Sequence, residues 1–173
     1  MSVEMSMDMN YKTILLTAAL LTGCLNTPNE ANASQKPSYD TYIEKGQAFP
    51  INQFTNIQGE QVNLATDKRK LIVLFSTWCS DSQRFVKQLT LSPLIADTDL
   101  QIIGIGREDT IQGLEKFSQK FKTSFSMVAD PERKIYNQFA NEGVPRLILL
   151  DKNNNVVRTL IGEAFDTIDQ VVW

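Results

Sequence analysis

The cysteine in the stretch STWCSDS, residues 76–82, carries the most nucleophilic type of side chain in this sequence. Cys79 follows an apolar run and precedes residues that suit the first turn of a helix. The partial positive charge and free N–H groups of a helix N-terminus favour the thiolate, which is the nucleophile in disulfide chemistry. Ser82 stands three residues later, where Cys-x-x-Cys redox sites have a second cysteine. The spacing predicts a single-cysteine redox site, with a buried, inert thiol as the alternative.

The composition excludes several classes of function. The 173 residues include no histidine and two cysteines, and the net charge is -3. Without histidine there is no Ser-His-Asp triad, and we expect no metal site. No basic cluster suggests nucleic-acid binding. No nucleotide or haem motif is visible, so we expect no cofactor.

The N-terminus predicts a lipid anchor. Lys12 precedes a short apolar core, small residues follow, and Cys24 closes a tetrad, Leu-Thr-Gly-Cys, that resembles a bacterial lipobox. The apolar core is too short to span a bilayer, which takes about 20 residues. We therefore expect a lipoprotein signal peptide over residues 1–23 and lipidation of Cys24; an ordinary signal peptide or a buried helix with an incidental cysteine are the alternatives. Leu25, in place of an aspartate, slightly favours the outer membrane.

The lipidated cysteine and the polar residues after it, 24–45, are typical of a flexible tether. Lipidation of Cys24 would leave Cys79 as the one free thiol of the mature chain, so no internal disulfide is possible. We expect residues 46–173 to form one domain.

Apolar patterns in this domain predict an α/β fold with a mixed sheet between helices, an N-terminal β-hairpin and an inserted βα unit. The hairpin turns at Gln58-Gly59. The other predicted strands cover 70–76, 100–106, about 125–128, 146–151 and 155–162, and the predicted helices cover 80–91, 109–121, 131–140 and 164–173.

Together these landmarks resemble the thioredoxin-like superfamily, in its TlpA/ResA branch, which neighbours the alkyl hydroperoxide reductase/thiol-specific antioxidant family. The resemblance covers roughly residues 46–173. It rests on GQAFPINQF, LIVLFSTWCSDS, GVPRLILLD and the turn at Gly162, in that order. It implies that Pro145 is cis and faces Cys79, that the backbone of Val144 pairs with an extended substrate, and that Trp78 forms an apolar wall beside the sulfur.

Three departures from the family argue against a dithiol cycle. Ser82 replaces the resolving cysteine, Val73 stands where thioredoxins have a buried acid, and Phe85 stands where ResA-like proteins have a glutamate. The loss of the second cysteine, together with the loss of both acids, indicates that the protein performs a different reaction or none.

Two charged residues near the motif have open roles. Arg146 follows Pro145, so its guanidinium would stabilise a thiolate or bind a substrate carboxylate; an exposed residue at the start of a strand is the alternative. Asp81 would oppose a thiolate, or serve only the first turn of the helix.

The leading hypothesis is an envelope-anchored, periplasm-facing oxidoreductase in which Cys79 attacks disulfides or mixed disulfides of partner proteins. Because Ser82 cannot resolve the intermediate, an external thiol must do so. A redox-inactive module that binds an extended peptide is the first alternative. A peroxidase is the second, although Ile72 replaces the proline of the peroxiredoxin pattern and Ser76 its threonine.

Overall fold

The domain is built around a five-stranded mixed sheet and a separate two-stranded hairpin. The computed structural model describes residues 39–173. The strands are β1 (Gln53–Thr55), β2 (Gln61–Asn63), β3 (Arg69–Phe75), β4 (Leu100–Arg107), β5 (Ser126–Asp130), β6 (Arg146–Leu150) and β7 (Val156–Ile161). In the large sheet the order is β5-β4-β3-β6-β7, with β3, β4 and β5 parallel and β6 and β7 antiparallel to their neighbours. The predicted α/β class, mixed sheet and hairpin are confirmed.

Strand β3 occupies the centre of the sheet and carries the site at its carboxyl end. Residues 71–75 are fully buried, as expected for a continuous apolar run covered on both faces. Alternate side chains enter two separate core clusters: Ile72 and Leu74 lie on one face, and Leu71, Val73 and Phe75 on the other. Cys79 therefore follows closely after a strand that is buried on both faces at the centre of the sheet.

Two α-helices cover one face of the sheet. Helix α1 (Ser80–Leu91) has the predicted bounds, and α2 (Ile111–Phe121) begins two residues later than predicted. Both place apolar side chains in the same core cluster: Phe85, Val86 and Leu89 from α1, Leu114 and Phe117 from α2. Within residues 39–173, none of the helices combines the length and the apolar character needed to cross a membrane.

The opposite face is covered by the hairpin and by extended segments. Phe49 and Phe139 stack there with ring centroids 4.9 Å apart. Thr41 forms a β-bridge with Ala140, and Ile43 is buried in this cluster. The last residues of the predicted tether thus pack on the domain, whereas the signal peptide, Cys24 and the rest of the tether lie outside the described residues.

The prediction of a helix over residues 131–140 was wrong. The chain forms turns there and a 3₁₀ helix over Tyr136–Gln138. The carboxylate of Asp130 accepts the N–H groups of Ile135 and Tyr136, and Arg133 adopts a left-handed φ of 60°. This side-chain hydrogen bonding competes with helical hydrogen bonds.

The predicted C-terminal helix is also reduced to a 3₁₀ helix, over Thr167–Gln170. The chain end is instead fixed on the sheet, because the indole N–H of Trp173 donates to the carbonyl of Leu150 over 2.9 Å. The guanidinium of Arg69 lies 4.7 Å from the centroid of the same ring.

Candidate active site

Cys79 lies at the junction of β3 and α1, as predicted. It is the N-cap residue of α1, with φ -82° and ψ 125°, and its side chain is half-buried. Its Sγ donates to the carbonyl oxygen of Val144 over 3.3 Å. Cys79 is the free cysteine of the described part of the chain.

The segment that faces Cys79 contains a cis peptide bond between Val144 and Pro145. The bond has the form that the resemblance implies, and the Sγ contact brings this segment to the cysteine. Gly162 lies behind Pro145: its N–H donates to the Pro145 carbonyl over 2.8 Å. A Cβ at position 162 would overlap the Cγ of Pro145, so the glycine is required for this close approach.

Trp78 stands beside Cys79 as a largely exposed aromatic surface, with 60% of its area accessible. The guanidinium of Arg107 lies 5.6 Å from the centroid of its ring. An exposed tryptophan held by a cation is suited to contact a partner chain.

Ser82 is fully buried and turned into the protein. Its Oγ accepts the main-chain N–H of Ser76 over 3.3 Å. Val73 and Phe85, which stand where the resemblance implies acids, are buried in the core. Residue 82, where a Cys-x-x-Cys site has its second cysteine, therefore holds the loop before Cys79 in place.

Asp109, which the sequence analysis did not single out, fixes that loop. Its carboxylate accepts the N–H of Thr77 over 2.9 Å and the hydroxyl of the same residue over 2.5 Å. Burial raises the pKa of Asp109 above its ordinary value, while the hydrogen bonds from Thr77 oppose the shift. In the sequence Asp109 only marked the start of a helix, and no periodicity links it to Cys79.

Gln83 holds the other side of the same loop. Its Nε2 donates to the carbonyl of Thr77 over 2.7 Å, and its main-chain N–H donates to the carbonyl of Cys79 over 3.0 Å. Thr77 is thus bonded through its N–H, hydroxyl and carbonyl groups, and this fixes the backbone two residues before the cysteine.

Arg146 is buried, with 3% of its area accessible, which corrects the interpretation as an exposed residue at the start of β6. Its guanidinium donates to the carbonyl oxygens of Glu142 and Asp40 and to the hydroxyl of Thr41. These bonds commit the guanidinium to the N-terminal segment, so we assign Arg146 a structural role. Asp81 forms an ion pair with Arg84 one turn along α1, in keeping with the simpler of its two interpretations.

Comparison with known proteins identifies the family. Residues 67–156 match the family model described as thioredoxin-like. The chain belongs to this family. It is 24% identical over 125 residues to the thiol-disulfide oxidoreductase ResA of Geobacillus kaustophilus, an alignment that covers 70% of this chain and 72% of that protein. The resemblance to the ResA-like branch is confirmed.

Solved structures agree on the fold. A Bacteroides thetaiotaomicron protein assigned as a protein disulfide isomerase superimposes with a TM-score of 0.70 at 18% identity, over 78% of this chain and 89% of that one. The peroxidoxin BcpB of Mycobacterium tuberculosis gives a TM-score of 0.62 at 13% identity, over 74% and 93% of the two chains. The fold is thus shared by a protein assigned as a protein disulfide isomerase and by a peroxidoxin, so the fold alone does not select an activity.

The side chains around Cys79 suit attack on sulfur. A half-buried thiol at a helix start lies against a main-chain segment and beside an exposed aromatic ring. Within residues 39–173, no group of three or more His, Cys, Asp or Glu side chains is placed to hold a metal ion. This arrangement can perform nucleophilic attack by the sulfur of Cys79.

Proposed function

We propose that this protein is a thiol–disulfide oxidoreductase that works through Cys79 alone. The observation that carries the proposal is the pairing of a half-buried Cys79 at the start of α1 with a buried serine, Ser82, three residues on. A thiol at a helix N-terminus is set up for attack. The serine hydroxyl cannot displace a thiolate from a mixed disulfide.

Cys79 takes part in two successive thiol–disulfide exchanges. Cys79 loses its proton and attacks one sulfur of a partner disulfide, so a mixed disulfide forms and the second partner sulfur leaves as a thiolate. An external thiolate then attacks the partner sulfur of the mixed disulfide, which returns the Cys79 thiolate and leaves the external thiol joined to the partner. A second external thiolate attacks the sulfur of the first, so the partner leaves as a thiolate and the two external thiols end as a disulfide. The external thiol supplies the reducing electrons.

The substrate we propose is an extended peptide segment of a partner protein. Val144 would offer main-chain groups beside the sulfur, and Trp78 would cover an apolar residue next to the substrate disulfide. Main-chain pairing gives affinity without sequence preference, and an exposed aromatic ring adds apolar contact.

We also propose that lipidation of Cys24 anchors the domain in the bacterial cell envelope, facing the periplasm, with the outer membrane slightly favoured. The partners would then be thiols and disulfides of other envelope proteins. Metabolic labelling with a fatty-acid analogue tests this: wild type should incorporate label and Cys24→Ala should not. Equal labelling of the two would exclude Cys24 as the anchor.

The redox proposal is tested by reduction of insulin disulfides in the presence of a small monothiol. The full chain is compared in a Cys24→Ala background, in which Cys79 is the single thiol. We expect turnover that Cys79→Ser abolishes and a Cys79–insulin mixed disulfide that accumulates when the monothiol is withheld.

Other outcomes separate the alternatives. Binding of an envelope partner that is indifferent to Cys79→Ser, without turnover, would favour a redox-inactive binding module. Sulfenic acid on Cys79 within seconds of peroxide addition, without activity on insulin, would favour a peroxidase.

A further inference from the structure

Tyr39, from the segment that leads out of the predicted tether, lies against the loop that faces Cys79. Three atoms of its ring are 3.1 to 3.3 Å from the place of a Cβ on Gly143. The carboxylate of Glu163 acts on the Tyr39 hydroxyl: hydrogen bonding to this carboxylate, then burial and its negative charge, raise the pKa of Tyr39 above its ordinary value.

These two neighbours of Tyr39 belong to the two loops that enclose Pro145. Gly143 precedes the Val144–Pro145 pair, and Glu163 directly follows Gly162. Gly162 packs on the Pro145 ring and donates its N–H to the Pro145 carbonyl. Tyr39 thus joins the loop before Pro145 to the loop behind it.

The position of Tyr39 is itself fixed by the residues that follow. Thr41 pairs with Ala140 as a β-bridge, and the N–H of Tyr42 donates to the carbonyl of Phe139 over 2.8 Å. The guanidinium of Arg146 donates to the hydroxyl of Thr41 over 3.0 Å and lies 5.2 Å from the centroid of the Tyr39 ring. The segment is therefore attached through Arg146 to the start of β6, directly after Pro145.

The loop around Glu163 is held from its other side by α1. The guanidinium of Arg84 donates to the Glu163 carbonyl over 2.6 Å and pairs with Asp81 in the first turn of that helix. Gln88 donates to the carbonyl of Phe165 over 2.9 Å. Glu163 is thus fixed between Tyr39 and the helix that begins at Cys79.

We propose that Tyr39 is a positioning residue of the active site: through Gly143 and Glu163 it sets the spacing of the two loops that receive the substrate main chain. The inference rests on the proposed disulfide exchange, for which it identifies a further determinant of substrate capture. Removal of Tyr39 takes away its contacts with both loops, whereas Cys79, α1 and the bonds from α1 to the loop around Glu163 stay in place. Capture of a peptide should therefore suffer, whereas reaction with a small reagent should not.

The test compares Tyr39→Ala and Tyr39→Phe with Tyr42→Ala, in full chains that carry Cys24→Ala. Tyr42 is a matched control, since it is an aromatic residue of the same segment with 54% of its area exposed. For a disulfide-containing peptide we expect Tyr39→Ala to raise KM about three- to tenfold and Tyr39→Phe about twofold, the range that corresponds to one or two weak contacts. The kcat and the rate of Cys79 alkylation by iodoacetamide should change less than about twofold, because the thiol is untouched.

Glu163→Gln should match Tyr39→Phe, since both weaken the same hydrogen bond. A fall in melting temperature without a change in KM would show that Tyr39 only stabilises the fold, and would overturn the proposal. Equal effects of Tyr42→Ala would overturn it as well.

Hydrogen exchange gives a readout that needs no activity. Tyr39→Ala should accelerate exchange in residues 142–146 and 162–165 and leave α1 unchanged. If the wild type shows no turnover, the proposed function fails, and this measurement still decides whether Tyr39 holds the two loops. Unchanged exchange in both loops would overturn the positioning role.

Discussion

The carboxylate of Asp109 accepts two hydrogen bonds from Thr77, one from its main-chain N–H and one from its hydroxyl. Thr77 stands two residues before Cys79, and Asp109 follows the neighbouring strand β4. With 5% of its area accessible, this carboxylate fixes the reactive loop from inside the protein. The conformation of the loop before Cys79 therefore depends on whether the buried Asp109 carboxyl group is protonated.

We predict that Asp109→Ala destabilises the protein and disturbs the site. The change leaves the N–H and hydroxyl of Thr77 without their acceptor, which costs about 2 kcal/mol in a buried setting. Asp109→Asn should be much milder, because an amide oxygen can accept the N–H while its NH₂ group donates to the hydroxyl. Urea unfolding and the alkylation rate of Cys79 check both variants; an equal loss in the two would contradict the hydrogen-bond argument.

The pKa of Asp109 predicts an unusual dependence of stability on pH. Its folded-state pKa is raised above the ordinary value of 3.8, mainly by burial. The folded state therefore binds this proton more readily than the unfolded state, so the contribution is full below 3.8 and is lost as pH rises through the folded pKa. The stability of wild type relative to Asp109→Asn should increase as pH falls from neutral into that window. Urea titration of both proteins at several pH values measures this difference in stability. A decrease in the stability of wild type relative to Asp109→Asn on acidification would contradict the prediction.

Gly162→Ala should damage the site through Pro145. Its new Cβ would overlap the Cγ of Pro145 and approach the Pro145 carbonyl oxygen to 3.2 Å, and such overpacking costs about 1–3 kcal/mol. We expect a lower melting temperature and slower insulin reduction. Gly113→Ala in α2 is the control: its Cβ would be 3.4 Å from the Thr110 hydroxyl, and removal of a helical glycine should stabilise by about 0.5–1 kcal/mol. A Gly162→Ala protein as stable and active as wild type would mean that Pro145 moves without cost.

The central strand and α1 could be predicted closely from sequence because their signals are local and strong. A run of β-branched and apolar residues specified β3, and Cys79 fell at the start of α1, as expected. The helix over 131–140 failed because the carboxylate of Asp130 captures main-chain N–H groups that a helix would use. That competition depends on side-chain geometry and produces no periodic pattern in the sequence.

The candidate site could be predicted only where residues adjoin the motif. Cys79 was identified from a local pattern, whereas Pro145 and its cis peptide bond were inferred from the resemblance. Asp109 and Tyr39 were missed because each reaches the site from another segment by tertiary contact. The alternative of an exposed Arg146 was wrong for a similar reason, since Thr41 and Asp40, two of its partners, lie about a hundred residues earlier, in the segment that composition had assigned to a tether.

Arg146→Met should lower stability by about 3 kcal/mol, because the buried guanidinium loses its partly buried hydrogen bonds to the carbonyl oxygens of Asp40 and Glu142. Arg146→Lys should not restore it, since a single ammonium cannot reach all of these acceptors. Arg158→Met is the control on the exposed side of β7, where its guanidinium donates to the carbonyl of Gln170 over 3.3 Å. Chemical unfolding checks the series. An Arg146→Met protein of normal stability but raised KM would return Arg146 to substrate binding.

Ser82→Cys should convert the single-cysteine site into a dithiol site. Residues three apart on a helix face the same side, about 5–6 Å between their Cβ atoms, so a cysteine at 82 is a neighbour of Cys79. In a Cys24→Ala background we expect this variant to form an internal disulfide on oxidation and to release the mixed disulfide that wild type accumulates. Ser80→Cys is the matched control, because Ser80 is an exposed serine at the start of the same helix, directly after Cys79. Mass spectrometry of alkylated protein, before and after oxidation, counts the free thiols. Two free thiols after oxidation of Ser82→Cys would show that the buried position of residue 82, bonded to the N–H of Ser76, keeps its sulfur from reaching Cys79.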